Sequence, residues 1–474
     1  MDILRHILSS AGTVLLGLFC VSFSIFVHEL GHFLAARRRG MHVERFSVGF
    51  GPALWSRRGK DGVEYRLSWI PLGGYVLLPQ LADLGVIEGE SKAELEKLPP
   101  VSYSTKMLVS VAGAAFNILL ALILACVIWI VGLPMSSDAA TTRIGYVLAK
   151  IELSDKVVVV SPAAAAGLQP GDIIREIDGT PVADWQDVVQ AMATGTGHSA
   201  DGTRSSVLII ERQRRTQQLT VHPMLAGEDR RRRIGISPAY EPVVMDVKSD
   251  SVAGKAGLRA KDRLLTLDGT AILNLQTLED GLKNGATRSL PLLVRRDGET
   301  TTLTLPASPA EPLKISELGV DFTVDTVVSH PGPLGQIISG VSKSFLTLAS
   351  LLNPHSDIGL KDLSGAVGMV HMYSMAAEDG IIYVVWLSIL INVSLAVSNL
   401  LPVPVLDGGH ILFATIAKLR GRALPVRFVT ATQGTFMVLL ISLMAYVNLH
   451  GLINWVGAAK PTHAEKPTPA APAK

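Results

Sequence analysis

The chain has 474 residues, with 43 Lys and Arg against 41 Asp and Glu and a net charge of +2, a balance that excludes nucleic acid as a partner attracted by bulk charge. Hydrophobic residues make up 48% and charged ones 18%, and the mean hydropathy is +0.36, which excludes a wholly soluble protein and indicates a membrane protein carrying soluble parts. The two cysteines, Cys20 and Cys126, both sit in apolar runs with no CxxC spacing, so a disulfide framework is excluded as well.

A spanning helix needs about 20 mostly apolar residues. The first candidate covers residues 7–36 and ends on Arg37, Arg38 and Arg39. Only Arg5 precedes it, the reverse of a secretory leader, so it is expected to stay as a helix with its N-terminus outside. Next, "FSVGFGPALW" (46–55) and "EYRLSWIPLGGYVLL" (64–78) read as short strands with Gly turns, apolar enough for a membrane interface. The second span, 107–133, carries no charge.

The segment from 134 to 380 repeats itself. "AAGLQPGDIIREIDGTPV" (165–182) aligns without a gap on "KAGLRAKDRLLTLDGTAI" (255–272), and each copy continues into a helix-like and then a β-rich stretch. Two copies predict tandem domains, over 142–225 and 233–307, rather than a solenoid. The motif A-G-L-x-x-G-D-x-I-x-x-I-D-G resembles the bacterial PDZ domain, with Lys261 standing in the second copy where the first has Gly171. PDZ domains bind peptides as an added strand, and two folded spacers without a ligand are the alternative.

Residues 333–352 place Leu334, Ile337, Ile338, Val341, Phe345, Leu348 and Leu352 on one stripe, as in an amphipathic helix on the outer membrane face or against the bundle. A third span, 381–406, is broken by Pro402 and Pro404, and a fourth, 434–457, carries Trp455 near its end. The tail 460–474, Pro- and Ala-rich, is expected to be disordered. The basic residues of 37–66, together with Lys418, Arg420, Arg422 and Arg427, set those two loops in the cytoplasm, with both termini and 134–380 outside.

The chemistry lies in the first span. His28-Glu29-Leu30-Gly31-His32 is H-E-x-x-H, and on a helix the two imidazoles share one face and can grip one metal ion, with Glu29 beside it to take a proton from water. Three ionisable groups in one turn of a membrane helix each cost about 2.5–3.5 kcal/mol or more without a partner. Zinc answers that cost, and its catalytic sites take three protein ligands. Asp407, in "NLLPVPVLDGGH" (399–410), is the candidate third ligand at a matching membrane depth, and His410 is a rival. The broken stretch before it can hold an extended substrate, with Asn399 able to hydrogen-bond such a strand.

H-E-x-x-H in the first span, N-x-x-P-x-P-x-x-D-G in the third and the PDZ-like repeats between make the chain resemble the bacterial site-2 protease family, of the sigma-E-regulator type with tandem PDZ domains. The resemblance covers about residues 20–457. It implies one Zn2+ per chain on His28, His32 and Asp407, and Glu29 as base. It also implies a substrate-clamping segment with Asn399, Pro402 and Pro404, and a membrane-dipping hairpin over 46–78 with Gly73 and Gly74. Some relatives carry a second asparagine where this chain has Ser394, with Asn392 nearby.

The fold class expected is a membrane protein: an α-helical bundle of four transmembrane helices with two inserted extracytoplasmic PDZ domains, mainly β, and a membrane-associated β-hairpin. The function expected is a zinc-dependent intramembrane endopeptidase of the cell inner membrane. Its substrate would be a pre-trimmed single-pass membrane protein, such as an anti-sigma factor, or signal-peptide remnants. Peptide C-termini at the PDZ domains and membrane lipid complete the expected partners. Two other classes compete: a catalytically silent, membrane-tethered PDZ adaptor, and a transporter with a broken helix, which the lack of an inverted repeat disfavours.

Overall fold

A computed structural model describes residues 2–81, 98–154, 156–195, 197–199, 202–227, 231–285, 288–307, 313–353, 359, 363, 365–422 and 424–458. The tail 460–474 lies outside the described residues. The chain forms two compact units, one of residues 1–131, 330–346 and 360–474, the other of 132–329 and 347–359.

The helices of the first unit are α1 (Asp2–Arg38), α2 (Tyr103–Val131), α3 (Pro333–Leu352, in this unit up to Leu346), α4 (Ala366–Asp379), α5 (Ile381–Asn399), α6 (Asp407–Arg420) and α7 (Val426–Ala458). Stretches of four of them, Ala11–Arg38, Tyr103–Val131, Ile381–Asn399 and Arg427–Leu449, are long and apolar enough to cross a membrane. Large side chains such as Phe19, Ile123, Trp129 and Leu439 stay on their outer surfaces, where lipid is the natural neighbour.

The helix of the third span stops at Asn399, seven residues before the end expected from hydropathy. Pro402 and Pro404 cannot donate to a helical ladder, and the chain crosses 400–406 in short turns before α6 begins on Asp407. The 14-residue α4 is not foreseen by hydropathy, because it is too short to span and carries His371, Glu378 and Asp379. Its Val370 and Tyr373 pack into a core with Val21, Val384, Leu387 and Ile391 of α1 and α5. In α3, Gln336, Gly340 and Ser344 face α2 and α5, while Leu334, Ile338 and Phe345 point outward.

Between α1 and α2 the chain folds as strands β1 (Arg45–Arg58) and β2 (Glu64–Leu77). Residues Arg45–Val48 pair on one side with Gly74–Leu77 and on the other with Glu64–Leu67. The strand Gly74–Leu77 therefore runs along the margin of this small sheet. Phe33 of α1, Phe46, Val76, Leu78 and Val109 of α2 form one core, which seats the hairpin on the two helices. Leu54, Trp55, Trp69 and Ile70 of the hairpin remain exposed.

The second unit holds the two repeats, each with its own core. The first copy has a sheet ordered Arg215–Val221, Ser206–Arg212, Ile173–Ile177, Thr180–Pro181, and the helix Trp185–Thr194. The second has a sheet ordered Glu299–Leu305, Leu290–Arg296, Arg263–Leu267, Pro242–Val247, Val320–Val324, and the helix Leu275–Asn284. Each copy buries one aspartate under an arginine fork. Arg212 donates through Nε and Nη2 to Asp172 at 2.7 Å each, and Arg296 does the same to Asp262.

Lys261 adopts φ +73°, as Gly171 adopts +96° in the first copy. Its N–H still reaches the Val244 carbonyl at 2.8 Å, matching the Gly171 bond to Ile144 at 2.7 Å. The repeat thus keeps its backbone at the cost of a left-handed lysine. Lys261→Gly is expected to stabilise this unit by about 1 kcal/mol, read as a higher unfolding midpoint in the full chain. Arg212→Met leaves Asp172 buried without a counter-charge and is expected to cost about 3–5 kcal/mol in the same measurement.

Candidate metal centre

Three positions, two on α1 and one at the start of α6, meet in space. His28 and His32 are four residues apart on one face of α1, and their Nε2 atoms stand 3.1 Å from each other. Asp407 brings its Oδ2 to 3.1 Å from His28 Nε2 and 3.2 Å from His32 Nε2. Among the described residues these three groups form the one cluster of this kind. The imidazoles are nearly buried, at 8% and 7% exposure.

The triangle can be tested against a metal. Ligand atoms about 2.0–2.1 Å from a tetrahedral zinc stand roughly 3.3–3.4 Å from one another, and the three edges here are 3.1, 3.1 and 3.2 Å. Apart from its approach to the two rings, the buried Asp407 Oδ2 has no hydrogen-bond partner among the described residues. A carboxylate oxygen and two imidazole nitrogens also make a donor set that zinc accepts. The residues fit the ion.

Helix α2 makes room for this. Gly113 faces both rings, and a Cβ there would lie 2.7 Å from His28 Nε2 and nearer still to His32 Nε2. One turn earlier, the Val109 carbonyl oxygen sits 2.7 Å from His32 Nδ1. One turn later, the buried Asn117 amide sits 3.4 Å from His28 Nδ1. Reading the sequence missed these α2 residues. The signal was present in the run V-A-G-A-A-F-N, where small residues let helices approach and one asparagine interrupts an apolar helix.

The triangle opens onto a cavity of about 800 Å3 lined also by Glu29, Arg66, Gly74, Asn399 and His410. His410 lines this cavity outside the triangle. Gly74 is so close to α1 that a Cβ there would stand 3.4 Å from Glu29 Cγ. Gly73 lies against the Phe50 ring at φ +123°. Pro402 and Pro404 do not line the cavity; Pro402 is exposed and Pro404 buried, and they act on it through the turns they impose before Asp407. Ser394 meets Ser344 instead, at 3.2 Å, and Asn392 donates to Ser24 Oγ at 2.9 Å.

Because Gly113 is the gap into which both rings fit, Gly113→Ala is expected to weaken metal retention at least as much as loss of an outer-sphere partner, about 10–100-fold. Metal content after dialysis, with a thermal melt to check folding, measures it.

Comparison with known proteins gives the site its context. The profile of Peptidase family M50 matches residues 16–443. The chain is 32% identical over 440 residues to the regulator of sigma-E protease RseP of Escherichia coli (strain K12), covering 89% of this chain and 94% of that protein. It is 30% identical over 458 residues to the regulator of sigma E protease of Haemophilus influenzae, covering 91% and 97%. It is also 29% identical over 446 residues to protease RseP of Yersinia pestis, covering 89% and 94%. Proteases of the M50 family use zinc, and the apolar helices of this chain agree with a membrane setting. The chain belongs to Peptidase family M50 and is a zinc-dependent intramembrane metalloendopeptidase.

Proposed function

We propose that His28, His32 and Asp407 hold the zinc ion and that Glu29 is the general base for hydrolysis of a peptide bond within a transmembrane segment. The observation that carries this is the triangle of 3.1–3.2 Å edges facing a cavity that Glu29 also lines. Bound zinc supplies Lewis-acid chemistry, acidifying water and polarising a carbonyl. Glu29 takes the proton of the attacking water and hands it to the leaving amine. A silent adaptor would have no use for this set of groups.

A transmembrane helix hides its peptide bonds in its own hydrogen bonds, so the substrate unwinds before attack. The freed backbone groups need new partners at membrane depth. Gly74–Leu77 is a strand margin at the cavity, and it would pair with the extended substrate as an added strand. Asn399, which also lines the cavity, would hydrogen-bond the same chain, and the turns that contain Pro402 and Pro404 follow it.

The substrate class is a single-pass membrane protein already shortened on its outer side, such as an anti-sigma factor, in keeping with the sigma-E regulators to which the chain is similar. The chain would sit in the inner membrane with both termini and the repeats outside, the basic loops lying in the cytoplasm. The two repeats would be PDZ domains that turn away untrimmed substrates or read a newly exposed C-terminus. The repeated signature and the matching Arg–Asp forks support that reading.

Glu29→Gln is expected to keep zinc while cleavage of a model transmembrane substrate falls by about 10²–10⁴-fold or more, and Asp407→Ala is expected to lose both. A Glu29→Gln protein that cleaves at the wild-type rate removes the base assignment.

A further inference from the structure

For both imidazoles to present lone pairs to one ion through Nε2, each ring must carry its proton on Nδ1. What stands at each Nδ1 therefore decides whether the centre can form. At His32 the partner is the Val109 carbonyl oxygen, 2.7 Å away, which can only accept. That contact alone fixes the ring as the Nδ1–H form.

At His28 the neighbour is Asn117, whose amide lies 3.4 Å from Nδ1. Asn117 is 0% exposed in the middle of an apolar helix. With its NH2 turned to His28, the amide would donate to Nδ1, drive the ring proton onto Nε2, and block that nitrogen. Oδ1 at the other end has no hydrogen-bond partner among the described residues, so no contact there holds the amide in that orientation. The two ends of a carboxamide have the same shape, and the hydrogen-bond network decides between them. Exchanging them gives Oδ1 the Nδ1–H as its partner and frees Nε2.

We infer that Asn117 is a positioning residue that, by accepting the Nδ1–H of His28 through Oδ1, sets the tautomer and ring angle the metal centre needs. Val109, Gly113 and Asn117 are spaced by four and fall on one face of α2. One turn supplies the acceptor for His32, the next the gap for both rings, and the third the acceptor for His28. Helix α2 contributes none of the three groups facing the ion, yet it determines how two of them are presented. This role rests on the assignment of His28, His32 and Asp407 as ligands.

The test uses the full-length chain in detergent, loaded with zinc and titrated against a chromogenic chelator. Asn117→Leu keeps the volume and loses the acceptor, and is expected to hold zinc about 10–100-fold more weakly than wild type. Asn117→Asp keeps an acceptor, as in carboxylate–histidine–zinc arrangements, and is expected to stay within about threefold of wild type or bind tighter. Packing alone would give the opposite order, since leucine suits an apolar site and a buried carboxylate does not. Zinc affinity of Asn117→Leu equal to wild type, or equal losses in the two variants, overturns the inference. If Asn117→Leu fails to fold, Asn117→Ala takes its place in the same comparison. Wild type that does not retain zinc, or Asp407→Ala that does, sinks the ligand assignment itself and is separately visible.

Discussion

One carboxylate and two imidazoles, carried by different helices, have to meet in apolar surroundings. Each of these groups alone is costly at membrane depth, and together around a cation they offset one another. The approach of Asp407 Oδ2 to within 3.1 and 3.2 Å of two ring nitrogens is therefore the constraint on which the rest of the first unit depends. It requires α1 and the start of α6 to stay in fixed register, and buried polar contacts tie α1 and α4 to α5, the helix that leads into α6 through the turns of 400–406. Asn392 of α5 donates to Ser24 of α1, one turn before His28, and to the Ser388 carbonyl. Tyr373 of α4 donates to Ser388 on the same helix α5. Each of these bonds saves a polar atom from hydrocarbon, and those to Ser24 and from Tyr373 join one helix to its neighbour.

Helix α2 has the opposite strategy. It offers the centre almost no side chain: a backbone oxygen at Val109, an absent Cβ at Gly113, one amide at Asn117. A side chain at Gly113 would fill the room the rings occupy. This makes the second span a packing element for the site as much as a membrane anchor, which its uniform hydropathy conceals.

The same cavity is bounded by two pieces of backbone that are not fully used by secondary structure. One is the sheet margin Gly74–Leu77, and the other is the turn-rich 400–406 that follows α5. In a membrane, such backbone is tolerated only against protein or water, and Gly74–Leu77 of the one and Val405 and Leu406 of the other line the pocket with Glu29. An enzyme that must receive a polypeptide in extended form needs this kind of wall. The exposed Trp55, Trp69 and Ile70 give the hairpin an apolar outer surface suited to an interface.

Much of this was legible in the chain itself. Hydropathy marks four long apolar helices, the 90-residue offset marks the tandem repeat, and H-E-x-x-H with a distant D-G marks the chemistry, because period, length and residue type are local properties. The limits of that reading are equally physical. Helix α4 escaped it because 14 mixed residues carry no spanning signal, and α6 because a proline-broken run disguised a new helix start as the end of an old one. Lys261 stands where the first repeat has Gly171, and only the backbone showed that the lysine holds the glycine conformation, with its N–H on the Val244 carbonyl. The sequence by itself determined which groups could bind a metal. Tertiary structure decided that Asp407 reaches the rings, and that Val109, Gly113 and Asn117 stand behind them, since distances between residues tens or hundreds apart are set by helix packing and no local pattern encodes them.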